Sequence, residues 1–63
     1  MKEAATITFQ DADTSDEAVA IVRYDASSVA LCLSLRADGD MEVIMAKRDA
    51  RKLIDALMKA VND

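Results

Sequence analysis

Residues 5–10 read Ala-Thr-Ile-Thr-Phe-Gln, with apolar and polar side chains in alternation. A period of two predicts a half-exposed strand, with Ala5, Ile7 and Phe9 on one face and Thr6, Thr8 and Gln10 on the other. The acidic run from Asp11 to Glu17 then predicts a loop. Residues 18–24 are apolar on both faces until Arg23, which predicts a strand inside the sheet. Asp25, Ser27 and Ser28 supply the next turn, because Asp and Ser can bond their own backbone.

Residues 27–45 hold two further strands around the only glycine, Gly39. A two-residue turn at Asp38-Gly39 would divide the large side chains between two faces. A three-residue loop, Ala37-Asp38-Gly39, with Gly39 in the left-handed conformation of a bulge, pairs Leu35 with Met41, Leu33 with Val43 and Leu31 with Met45. It also sets Arg36 opposite Asp40. The three-residue loop is the expectation, because a slip of one residue would turn the whole apolar set to the wrong side.

From about Lys47 the period lengthens. Ala50, Leu53, Ile54, Leu57, Met58 and Val61 recur at spacings of three and four, one stripe of an amphipathic helix. Arg48, Arg51, Lys52, Asp55, Lys59 and Asn62 fill the opposite side, with Arg51–Asp55 and Asp55–Lys59 as i,i+4 pairs. These elements predict a single small α+β domain spanning residues 1–63. It is a four-stranded antiparallel β-meander (ββββα) with one C-terminal amphipathic helix packed on one face, the face bearing Val29, Leu31, Leu33, Leu35, Met41, Val43 and Met45.

The second face is then left without cover. It carries Ala30, Cys32 and Ser34 from the third strand and Glu42 and Ile44 from the fourth. The second strand adds either Ala18, Ala20, Val22 and Tyr24 or Val19 and Ile21. A flat, mostly apolar face of this kind is expected to serve for dimerisation, with Ala20, Val22, Ala30, Cys32 and Ile44 as the interface. Pairing of an edge strand across the two-fold axis is the other geometry, and a different protein partner could take the same place.

Size and composition press in the same direction. A domain of 63 residues buries only about 60% of the surface its unfolded chain exposes. One cysteine and no histidine leave neither an internal disulfide nor a Cys/His zinc site, so no metal or cofactor is expected. Phe9 and Tyr24 are the only aromatics in a chain that is 52% apolar, so the core should be aliphatic. The opening Met1–Phe9 stretch carries Glu3 and two threonines where an export signal needs an unbroken apolar run. The run Val29–Leu35 falls far short of the roughly 20 residues of a membrane span. Together with the free thiol, this predicts a soluble cytoplasmic protein with no membrane contact.

Candidate chemistry is sparse. Asp11-Ala12-Asp13 has the opening of a calcium-binding EF-hand loop, but the sixth position is Asp16 where glycine is needed and the twelfth is Val22 where glutamate is needed. A solvated acidic turn is the expectation. Residues 47–63 carry five basic and three acidic groups, and residues 1–46 carry three basic and nine acidic, giving −4 overall. Arg48, Arg51, Lys52 and Lys59 are the candidate anion contacts, and the cations at the helix start oppose its macrodipole. The acidic balance and the scarcity of aromatics count against nucleic acid as a partner. Cys32 has no histidine to activate it and reads as a structural thiol. Ser27, Ser28 and Ser34 have no base, and Met41, Met45 and Met58 read as core filler. The expected function is that of a non-enzymatic binding module, homodimeric through the second face or an edge of its sheet. The alternative is a small regulator that contacts nucleic acid or another polyanion through the basic side of the helix.

Overall fold

The computed structural model describes residues 1–63 and contains strands β1 (Lys2–Gln10), β2 (Glu17–Tyr24), β3 (Ser28–Leu35) and β4 (Gly39–Ala46), followed by helix α1 (Lys47–Asn62). The strands form one antiparallel sheet in the order β1-β2-β3-β4, the ββββα meander that the periodicity predicts. The two strands that are apolar on both sides, β2 and β3, occupy its centre. No helix is long and apolar enough to cross a membrane.

Register sorts the side chains. Ile7, Ala20, Leu33 and Met41 form one row across all four strands, flanked by the row Ala5, Val22, Leu31 and Val43 and by the row Phe9, Ala18, Leu35 and Gly39. These rows, with Tyr24, Val29 and Met45, make the first face. The second face carries Thr6, Ile21, Cys32 and Glu42 in one row and Thr8, Val19, Ser34 and Asp40 in the next. The register of β1 against β2 shifts between Glu3 and Ala5, which makes Ala4 the extra residue of a bulge.

The β3–β4 connection corrects one expectation. Its three loop residues are Arg36, Ala37 and Asp38, closed by the Asp38 N–H donating to the Leu35 carbonyl at 3.2 Å. Gly39 opens β4 opposite Leu35 with φ +82°. Leu33 consequently faces Met41 rather than Val43, and Leu31 faces Val43 rather than Met45. A shift of two residues preserves the faces, so the large side chains still gather on one side. Arg36 is carried away from Asp40 and lies 3.7 Å from Glu17, while Asp40 accepts from the Ser34 hydroxyl at 2.7 Å. The same end of the sheet is tied by the Ala37 N–H donating to Asp16 at 2.9 Å and the Arg36 N–H donating to the Glu17 carbonyl at 3.0 Å.

Helix α1 begins with no residue between it and β4. Its N-cap is Ala46, in an extended conformation and offering no side-chain cap. Asp49 is the one acidic group in the first turn, and it lies 3.8 Å from Lys52. The Arg51–Asp55 and Asp55–Lys59 pairs do not form, in keeping with how little an exposed i,i+4 pair gains against side-chain entropy.

Only Ala18, Ala30 and Ala50 are buried. An aliphatic core of large side chains is therefore absent from the single chain. Of 42 backbone hydrogen bonds, 37 lie within the strands and helix, so the ladder rather than a core provides cohesion. The β3–β4 loop tests how firmly. Nothing lies within 4 Å of a side chain added at Gly39, so Gly39→Ala meets backbone strain alone. It is expected to cost about 1–2 kcal/mol in urea unfolding with an unchanged m-value, whereas no loss would mean that the loop relaxes freely.

Candidate interaction surface

The first face of the sheet is its apolar one, and most of it is open. Ile7, Phe9, Leu33, Met41 and Val43 are all exposed there, with Met41 at 68%. The helix that the pattern lays across this face meets it only at one corner. Val22, Leu31 and Met45 of the sheet and Ala50, Leu53 and Leu57 of the helix line a groove of about 480 Å³ between the two. Past this corner the helix is not closely covered by its own sheet. Every residue from Arg51 onward is exposed, and Val61 at 80% is the most exposed large apolar side chain in the chain.

The second face is better protected than its composition suggests. Arg23 pairs with Glu42 at 3.3 Å, and by register the pair bridges over β3. Beneath it Ala30 is only 1% exposed and Cys32 is half-buried. Thr6, Thr8, Ser34 and Asp40 give the remainder a polar character. Ile44, at 62%, is the one large apolar side chain strongly exposed there.

The five residues expected to form one interface are divided by the register. Ala30, Cys32 and Ile44 lie on the second face, whereas Ala20 and Val22 lie on the first, opposite Leu33 and Leu31. Residues of period two that are apolar on both sides do not reveal which set joins which face. Sequence reasoning misses Leu33, Met41 and Val43 as surface residues because it lays the helix over them, and it does not assign Ile7 and Phe9 of β1 to the same face. Their signal was present in the composition, since one 16-residue helix is narrower than a four-stranded sheet, whose outer strands lie about 14 Å apart.

The candidate anion contacts Arg48, Arg51, Lys52 and Lys59 are all exposed. At 100° per residue Arg48, Lys52 and Lys59 fall on the side of the helix away from Leu53 and Leu57, while Arg51 stands at the rim of the groove. Lys52 is the one of the four with an acidic neighbour in contact range, Asp49.

The loop carboxylates serve the backbone. Asp11 accepts from the Thr14 N–H at 2.8 Å, the Thr14 hydroxyl at 2.9 Å and the Asp13 N–H at 3.2 Å. Asp25 accepts from the Ser28 N–H at 2.8 Å and the Ser27 N–H at 3.0 Å. Such turns are what short acidic side chains favour. Ser15 takes φ +65° within the first of them. The bonds hold both carboxyl groups below the usual value of 3.8, led by the Thr14 N–H for Asp11 and by the Ser27 N–H for Asp25. Asp16 is likewise occupied, by the N–H groups of Glu17 and Ala37.

No family model, curated protein or solved structure matches the chain. Geometry alone therefore bears on function. It assembles an open apolar sheet face, an open apolar helix stripe and a groove where they meet.

The two loop carboxylates predict an acid response. Because folding lowers both pKa values, the stability they contribute is complete above pH 3.8, the unfolded value, and is lost as pH falls through the lower folded values. The Asp11→Ala, Asp25→Ala variant is expected to melt at a lower temperature near neutrality and to lose less on acidification below pH 3.8. An acid slope equal to that of the unaltered protein would show that other carboxylates govern it.

Proposed function

We propose that this protein is a non-catalytic binding module whose working surface is the first face of the sheet together with the apolar stripe of α1. The observation that carries the reading is the exposure of Leu33, Met41 and Val43 on the sheet together with that of Leu57, Met58 and Val61 on the helix. Exposed apolar patches of this extent on a soluble chain mark interaction sites, since water disfavours them and association removes the cost. Binding through the first face replaces the expected use of the second, which the Arg23–Glu42 pair and its polar neighbours make the less apolar of the two.

A second reading, contact with a polyanion, has one observation in its favour. Arg48, Lys52 and Lys59 face away from the groove, so they stay outside when the stripe is covered. Changing Arg48, Arg51 and Lys52 to glutamine is then expected to abolish salt-sensitive binding of a duplex DNA fragment and leave folding almost unchanged. If the unaltered protein does not bind the fragment, the second reading falls.

The methionines test the first reading directly. Met1, Met41 and Met58 are exposed to similar degrees in the single chain, at 57%, 68% and 58%. Dilute peroxide oxidises accessible thioethers, so in cells producing the protein Met41 and Met58 are expected to oxidise several times more slowly than Met1. Equal rates at the three positions would mean that the surface stands free and would overturn the reading.

A further inference from the structure

Resting on that reading, we propose that the occupant of the surface is a second copy of this chain. The copies are related by a two-fold axis, and α1 of each lies over Leu33, Met41 and Val43 of the other.

Area is the first argument. The chain exposes 5084 Å², whereas a monomer of 6.8 kDa exposes about 4,000 Å². Removing the excess of about 1,100 Å² per chain gives an interface of roughly 2,200 Å² in total, within the range of obligate homodimers. The radius of gyration agrees, at 12.7 Å against about 10.6 Å for a compact domain of this length.

Self-complementarity is the second. Each chain carries one uncovered sheet face and one uncovered helix stripe, and a two-fold operation supplies each with the other. The dimensions match, because a helix of 16 residues is about 24 Å long and strands of eight residues are about 26 Å. The helix does not provide the same cover within its own chain, where Leu33, Met41 and Val43 stay exposed. Its direction is set where β4 ends, with no linker to redirect it.

Charge is the third. Residues 47–63 have a net charge of +2 and residues 1–46 a net charge of −6. Exchange brings the net-positive segment of one copy near the net-negative sheet of the other. Arg48, Lys52 and Lys59 stay on the side away from the contact, so the attraction acts at long range and buries none of these three cations.

The test is sedimentation equilibrium of the full chain and three variants. Met41 and Ile44 lie on one strand, on opposite faces, and are exposed to 68% and 62%. A monomer would treat a glutamate alike at both. The unaltered protein is expected at twice 6.8 kDa, with Met41→Glu and Val61→Glu each raising the dimer Kd by about thirtyfold or more, the size of an interface hot spot. Ile44→Glu is expected to leave the mass unchanged. A monomer at every concentration, or dissociation by Ile44→Glu in place of Met41→Glu, would overturn the inference. Dissociation by Met41→Glu with Val61→Glu silent would overturn the exchange of helices. If Met41→Glu abolishes folding by circular dichroism, the purified unaltered protein decides, since slower oxidation of Met41 and Met58 than of Met1 supports the pair and equal oxidation overturns it. A purified monomer whose Met41 and Met58 are nevertheless protected in cells would refute the second copy and leave the binding surface standing.

Discussion

The direct junction between Ala46 and Lys47 is the constraint on which the arrangement of this chain depends. With β4 ending where α1 begins, the helix leaves the sheet along a direction set by the last strand residue. A connection of several residues would let it turn back and lie along the sheet. Here Ala50 is the helix's one buried residue, and every helix residue from Arg51 onward is exposed. Two apolar surfaces made from one chain are thereby both left open.

Cohesion within the single chain comes from backbone pairing and local turns. The three buried side chains are alanines, each too small to contribute the burial that a Leu or Ile would. The ends of the sheet are secured by other means. Asp16 and Glu17 fasten the β1–β2 loop to the β3–β4 loop, and Asp25 closes the β2–β3 turn. The larger apolar side chains are either half-buried, as Val22, Leu31 and Leu35 are, or exposed, as Leu33, Met41 and Val61 are.

The elements were legible because each rests on local physics, although β1 begins at Lys2, three residues before the alternation that marks it. The alternation at Ala5–Gln10, the doubly apolar Ala18–Val22 and the spacing from Ala50 to Val61 each indicate their element without reference to any other. The division of β3 and β4 into a face of large side chains and a face of small ones was also legible, since parity along a strand is unambiguous. Pairing was less so. Loops 36–38 and 37–39 place the same residues on the same faces, and the choice falls to the bond between Asp38 and Leu35. Strand β2 offered no parity signal, which is why Ala20 and Val22 were grouped with residues of the opposite face.

From the sequence alone follow the five elements, the meander and the apolar stripe of the helix. These depend on periodicity and turn chemistry, which are properties of short segments. Tertiary structure decided which apolar surface remains open. That depends on the angle at which the helix leaves β4 and on an Arg23–Glu42 pair joining residues 19 positions apart. Neither the angle nor the pairing is encoded in a local pattern, so the face taken to be covered is the one left exposed.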